Sequence, residues 1–172
     1  KGLISLVLPG ATLVLYSLLT RDFSAWRKLH PLPGIALFLA IAAPWHVLAS
    51  LHNPEFAHFY FIHEHFERFL TKVHGRVEPW WYFVPVLFAA ALPWSTLVCH
   101  ATVAQWNDPG DRGRALRFLA IWCGFTLLFF SASGSKLPSY ILPILPAFAL
   151  IVGAFLTRVT AMAMAIHATP TV

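Results

Sequence analysis

Two short stretches of the 172-residue chain hold most of the side chains able to do chemistry. In the first, His58, His63, Glu64, His65, Glu67 and Arg68 crowd one segment. On an α-helix His63 and Glu67 share a face, as do Glu64 and Arg68, because residues four apart are neighbours. Imidazole with carboxylate suits a divalent metal such as zinc, although no spacing here matches a closed structural zinc site and further ligands would have to come from another segment. An ion-paired, hydrated helix face and a histidine acting directly in catalysis fit the same residues.

The second stretch reads Ser131-Ala-Ser-Gly-Ser-Lys136-Leu-Pro-Ser-Tyr140. Small residues let backbone N–H groups turn toward one point, and Lys136 with the hydroxyls can complete an anion cradle. The Walker pattern is absent, so a soluble nucleotide is not implied, and the phosphate of a lipid headgroup fits the depth better. A tight turn with a snorkelling lysine is the plainer reading. Arg68 offers a planar, permanently charged fork for phosphate oxygens, and Tyr140 a hydroxyl at interface depth.

The elements that carry these stretches are apolar helices. Apolar residues make up 58% of the chain and charged ones 11%, against ~25% charged in soluble domains. Five stretches free of Asp, Glu, Lys and Arg predict membrane helices over about 2–19, 32–51, 80–104, 117–131 and 140–157, with a partial sixth over 159–167. Dyad alternation is missing, so an all-α polytopic membrane protein is expected and a barrel is not. Pro44, Pro85, Pro93, Pro143 and Pro146 predict kinks. Trp80, Trp81, Tyr82 and Trp94 read as interface anchors of one span, and Cys99 and Cys123 as buried small hydrophobes rather than a disulfide or metal pair.

Phe56, Phe59, Ile62, Phe66, Phe69 and Leu70 recur at spacings of three and four, which predicts an amphipathic interfacial helix over about 54–70 with Asn53 as its N-cap and Pro54 in its first turn. The net charge of +5 does not point to nucleic acid, because the basic residues lie between apolar stretches. Arg21, Arg27 and Lys28, then Arg112, Arg114 and Arg117, and finally Arg158 mark the cytoplasmic side, which leaves the histidine-rich connection and the Lys136 loop together on the other. The chain starts at Lys1 and runs straight into an apolar helix, the pattern of a fragment.

The string NPEFAHFYFIHEHFERFL over 53–70, then RVEPWWYFVPVLFAAALPW over 76–94, resembles the outer-loop and following-helix region of the bacterial 4-amino-4-deoxy-L-arabinose lipid A transferases. FFSASGSKLPSYILPILPAFAL over 129–150 resembles the Ser-Lys-Leu-Pro-x-Tyr segment of the same family. Together the strings cover about a third of the chain, and their order, two helices apart, is what makes the resemblance specific. It implies the C-terminal part of the membrane domain of a GT-C glycosyltransferase related to protein O-mannosyltransferases. Such an enzyme, in the bacterial inner membrane with its active side periplasmic, would move a sugar, aminoarabinose as the best guess, from undecaprenyl phosphate to an outer-leaflet acceptor such as lipid A.

By the same resemblance Arg68 and Tyr140 touch the carrier phosphate with Lys136 close by, and a metal contact falls on the run His63, Glu64 and His65. The family's acidic residue for acceptor activation lies in a first outer loop that has no counterpart here. Asp22, Asp108 and Asp111 all fall on the assigned cytoplasmic side, so no catalytic residue is assigned within the chain, and by itself it is expected to be inactive. A related transferase acting on protein or another glycan, a transporter and a structural membrane subunit are the competing functions. Transporters usually need ionisable groups at mid-membrane, and only His46 and His100 come near helix interiors.

Overall fold

In the computed structural model, residues 2–67 and 78–157 are described, with side chains for 3–63 and 78–157. Helix α1 spans Gly2–Thr20, the short α2 Ser24–Lys28 and α3 Pro31–His52. A π-helix over His58–Glu67 follows, then α4 over Phe83–Ala90, α5 over Ser95–Gln105 and α6 over Asp111–Ala132. A 3₁₀ turn, Pro138–Ile141, leads into α7 over Ile144–Leu156. The described elements are all helical, as the apolar runs require in lipid, where each backbone group must find its partner within its own segment.

Three of these helices, α1, α3 and α6, are long and apolar enough to cross a membrane singly. The region read from sequence as one helix over 80–104 is instead the pair α4 and α5, bent by 94° at residues 91–94. Pro93 has no N–H for the helical ladder, and the Ser95 hydroxyl donates to the Phe88 carbonyl at 2.6 Å, satisfying an acceptor left at the break. Trp94 consequently sits at the bend rather than at the far end of a span. Pro44, by contrast, lies within an uninterrupted α3. The last apolar stretch, expected over 140–157, divides into the 3₁₀ turn and α7, whose 13 residues span roughly 20 Å at the helical rise. The sixth stretch, 159–167, lies outside the described residues.

Helix α6 is the centre of the bundle and packs against α1, α5, α7 and the 3₁₀ turn. Leu8, Phe83, Cys123, Phe130, Ile141, Ile144 and Ala147 form one core, and Leu97, Val98, Ala101, Leu116, Ile151, Val152 and Phe155 a second. Tyr16 meets Phe118 edge-on at 5.7 Å, and the Trp122 indole N–H donates to the Pro143 carbonyl at 2.9 Å, joining α6 to the start of α7. Cys123 is buried as expected, whereas Cys99 is exposed because α5 turns that face away from α7.

Helix α3 buries no residue at all: Leu32 is 80% exposed, Ile41 73% and Leu51 74%. An apolar surface of that extent is incompatible with water and natural in lipid.

Candidate phosphate site at the bundle end

Helix α6 ends at Ala132, where the Ser133 N–H donates to the Phe130 carbonyl at 3.1 Å. From there the loop folds on itself. The Ser133 hydroxyl donates to the Ser135 carbonyl at 3.0 Å, and the Lys136 ammonium donates to the Ser133 carbonyl at 2.7 Å. Lys136 is 7% exposed, so its amine turns inward instead of snorkelling. That overturns the plainer reading of this stretch, because the local serine bonds curl the loop around the amine.

Among the described residues no carboxylate lies within ion-pair reach of Lys136. A buried cation without a counter-charge is costly, and among the described residues this one uses a single carbonyl for three N–H donors. In the same loop the buried Ser135 hydroxyl has no hydrogen-bond partner among the described residues. Buried donors left over in this loop are what an anion would satisfy.

Tyr140 is held at the same helix end. Its ring packs on Phe130 at 5.1 Å, and its N–H donates to the Leu137 carbonyl at 3.0 Å within the 3₁₀ turn. Tyr82 and Phe83, which directly follow the histidine-rich connection, join the cluster of Phe130, Tyr140 and Ile141. The end of the histidine-rich connection therefore leads to the helix end that carries the Lys136 loop.

The histidine-rich segment begins as expected: the Asn53 side-chain oxygen accepts from the Glu55 N–H at 3.1 Å. From His58 it winds as a π-helix instead of an α-helix. Pairs four apart still meet, with Phe56 stacked on Tyr60 at 5.5 Å and Phe59 on His63 at 5.1 Å. His46 of α3 docks this segment, 5.1 Å from the Tyr60 ring, and its Nδ1 donates to the Ala42 carbonyl at 2.8 Å. An apolar groove of about 370 Å³ runs beneath, lined by Leu3, Leu6, Phe38, Leu39, His46 and Tyr60 among others.

Half-buried His63 lies within this packing. Only the backbone is described for Glu64 and His65, and Arg68 lies outside the described residues. No group of three potential metal ligands is assembled among the described residues. Sequence reasoning missed the docking role of His46, which depends on a contact between α3 and the π-helix that local periodicity does not encode.

Apolar helices around a bent pair, with a buried lysine in a serine-rich loop at one end, have the fold of part of a GT-C glycosyltransferase membrane domain. The chain superimposes on the crystal structure of ArnT from Cupriavidus metallidurans bound to undecaprenyl phosphate with a TM-score of 0.88 and 38% identity, covering 97% of this chain and 30% of that one. The apo structure of the same protein gives 0.81, again at 38% identity, over 97% of this chain and 29% of that one.

The relatives in sequence are undecaprenyl phosphate-α-4-amino-4-deoxy-L-arabinose arabinosyl transferases. Transferase 1 of Pseudomonas fluorescens strain Pf0-1 is 35% identical over 154 residues, covering 89% of this chain and 26% of the relative. The Pseudomonas aeruginosa PAO1 transferase is 35% identical over 155 residues, covering 89% of this chain and 27% of the relative. The resemblance read from two motifs thus extends over nearly the whole chain, which spans about a quarter of the length of these relatives. No family model matches the chain.

Proposed function

We propose that this chain forms the part of a membrane glycosyltransferase that holds the phosphate of an undecaprenyl-phosphate sugar, with aminoarabinose as the sugar and lipid A as the acceptor. The observation that carries the reading is the buried Lys136 ammonium, uncompensated by any described carboxylate, in the same loop as a buried Ser135 hydroxyl without a partner among the described residues. Relatives named for undecaprenyl-phosphate-aminoarabinose transfer support this choice of donor. The apolar groove beside the π-helix offers surface for a polyprenyl chain.

In the reaction an acceptor oxygen attacks the anomeric carbon, the bond from that carbon to the phosphate oxygen breaks, and the acceptor proton passes to a base. Negative charge grows on the leaving phosphate, where Lys136, Arg68 and the Tyr140 hydroxyl would stabilise it. All three aspartates of the chain, Asp22, Asp108 and Asp111, belong to the opposite, basic end. The base is assigned, as the family resemblance implies, to an acidic residue outside this segment, and the segment alone would not turn over. The arginine-rich end faces the cytoplasm of an inner-membrane protein and the Lys136 end the periplasm.

The test is transfer by the full-length enzyme supplied with undecaprenyl-phosphate aminoarabinose, read by mass spectrometry of lipid A. Arg68→Ala should lower the rate by about 10²-fold, the usual effect of removing one charge-stabilising donor, and Arg112→Ala by far less. Equal rates for well-folded Arg68→Ala and parent would remove Arg68 from the site.

A further inference from the structure

At the end of the bundle opposite Lys136, the C-terminus of α1 and the N-terminus of α6 bound a cleft of about 650 Å³. Two guanidiniums, Arg114 and Arg117, and two carboxylates, Asp22 and Asp108, line it together with Tyr16 and Trp106. Apolar walls from Leu19, Pro109 and Ile121 complete it.

The charged groups are held in place. Arg117 Nη1 donates to the Trp106 carbonyl at 2.8 Å and the Asp108 carbonyl at 3.2 Å, fixing the plane of its fork. Arg114 pairs with Asp111 one turn back on the helix. Asp22 accepts from the Ser24 N–H at 2.9 Å and from the Tyr16 hydroxyl at 3.3 Å. Hydrogen bonds from Ser24 foremost, with smaller help from Tyr16 and the Arg114 charge, hold its carboxyl below the usual value and hence ionised.

A ligand carrying only negative charge would meet two carboxylates here, and one carrying only positive charge two guanidiniums. A ligand with both signs, a phosphate and an ammonium a few bonds apart, meets a complement to each. The cleft lies where a membrane helix ends, and its apolar walls suit the junction between headgroup and acyl chains. We propose that it binds the headgroup of a zwitterionic phospholipid with a phosphodiester and a primary ammonium, the phosphate on Arg114 and Arg117 and the ammonium on Asp22. This site is independent of the sugar donor and of the transferase reading.

The experiment is native mass spectrometry of the full-length protein released from bilayers of equimolar phosphatidylethanolamine and phosphatidylglycerol. Preferential retention of phosphatidylethanolamine is expected, reduced about tenfold by either Asp22→Asn or Arg114→Gln, as loss of one charge-assisted bond predicts, with thermal midpoints near that of the parent. Arg112→Gln, outside the cleft lining, should leave retention unchanged. Equal or greater retention of phosphatidylglycerol, or undiminished retention in both cleft variants, would overturn the proposal. So would soluble phosphoethanolamine that competes as effectively as the lipid, since the ligand would then not be membrane-derived.

Discussion

A buried lysine whose amine has, among the described residues, one carbonyl partner and no carboxylate nearby destabilises the fold that buries it. Lys136→Met should therefore leave the full-length enzyme as stable as the parent or raise its thermal midpoint, while slowing transfer about 10²-fold. A variant that lost stability and kept its rate would assign the lysine to folding instead. That Lys136 is a candidate for an anion site was legible in its serine-rich surroundings, because residue type and approximate depth are sequence properties. Its burial was not, since the choice between snorkelling outward and folding inward is made by the Ser133 and Ser135 bonds, which exist only once the loop has closed.

At the scale of elements, the apolar runs and proline positions showed where helices lie but not how each proline is used. Pro44 leaves α3 continuous, whereas at Pro93 the chain turns by 94° and Ser95 takes up the Phe88 carbonyl. The same limit applies to the π-helix: an apolar pattern at threes and fours reads as an α-helix, and the wider winding still brings Phe59 onto His63. The connection into α6 has its own constraint at Gly113, where an added methyl would overlap the Asp108 carbonyl oxygen. Arg117 already clamps that carbonyl, so the backbone has little room to retreat. Gly113→Ala is expected to cost about 1–3 kcal/mol, the range for overpacking, measurable as a lower unfolding midpoint in detergent. An unchanged midpoint would show that the connection shifts freely.

For the whole molecule, α6 carries basic side chains at each end, with Arg114 and Arg117 in its first turns and the Lys136 loop just beyond its last. This polarity was readable in sequence, because alternation of spans and the basic connections fix which loops lie together. The partners that cover α3 were not readable, and its exposed leucines show only that lipid or protein must. In a full-length protein with Cys99 and Cys123 replaced, a cysteine at Ser139 should react with an impermeant thiol reagent from the periplasm and one at Ser24 only after the cytoplasmic face is opened. The reverse pattern would invert the orientation. The proposed donor site rests on Lys136 meeting the phosphate of the lipid carrier, and the direct measurement is the affinity of purified full-length protein for undecaprenyl phosphate. Lys136→Met should weaken it at least about tenfold, as loss of a charge-assisted bond predicts, while Arg112→Ala leaves it unchanged. Equal affinity of Lys136→Met and parent would contradict it.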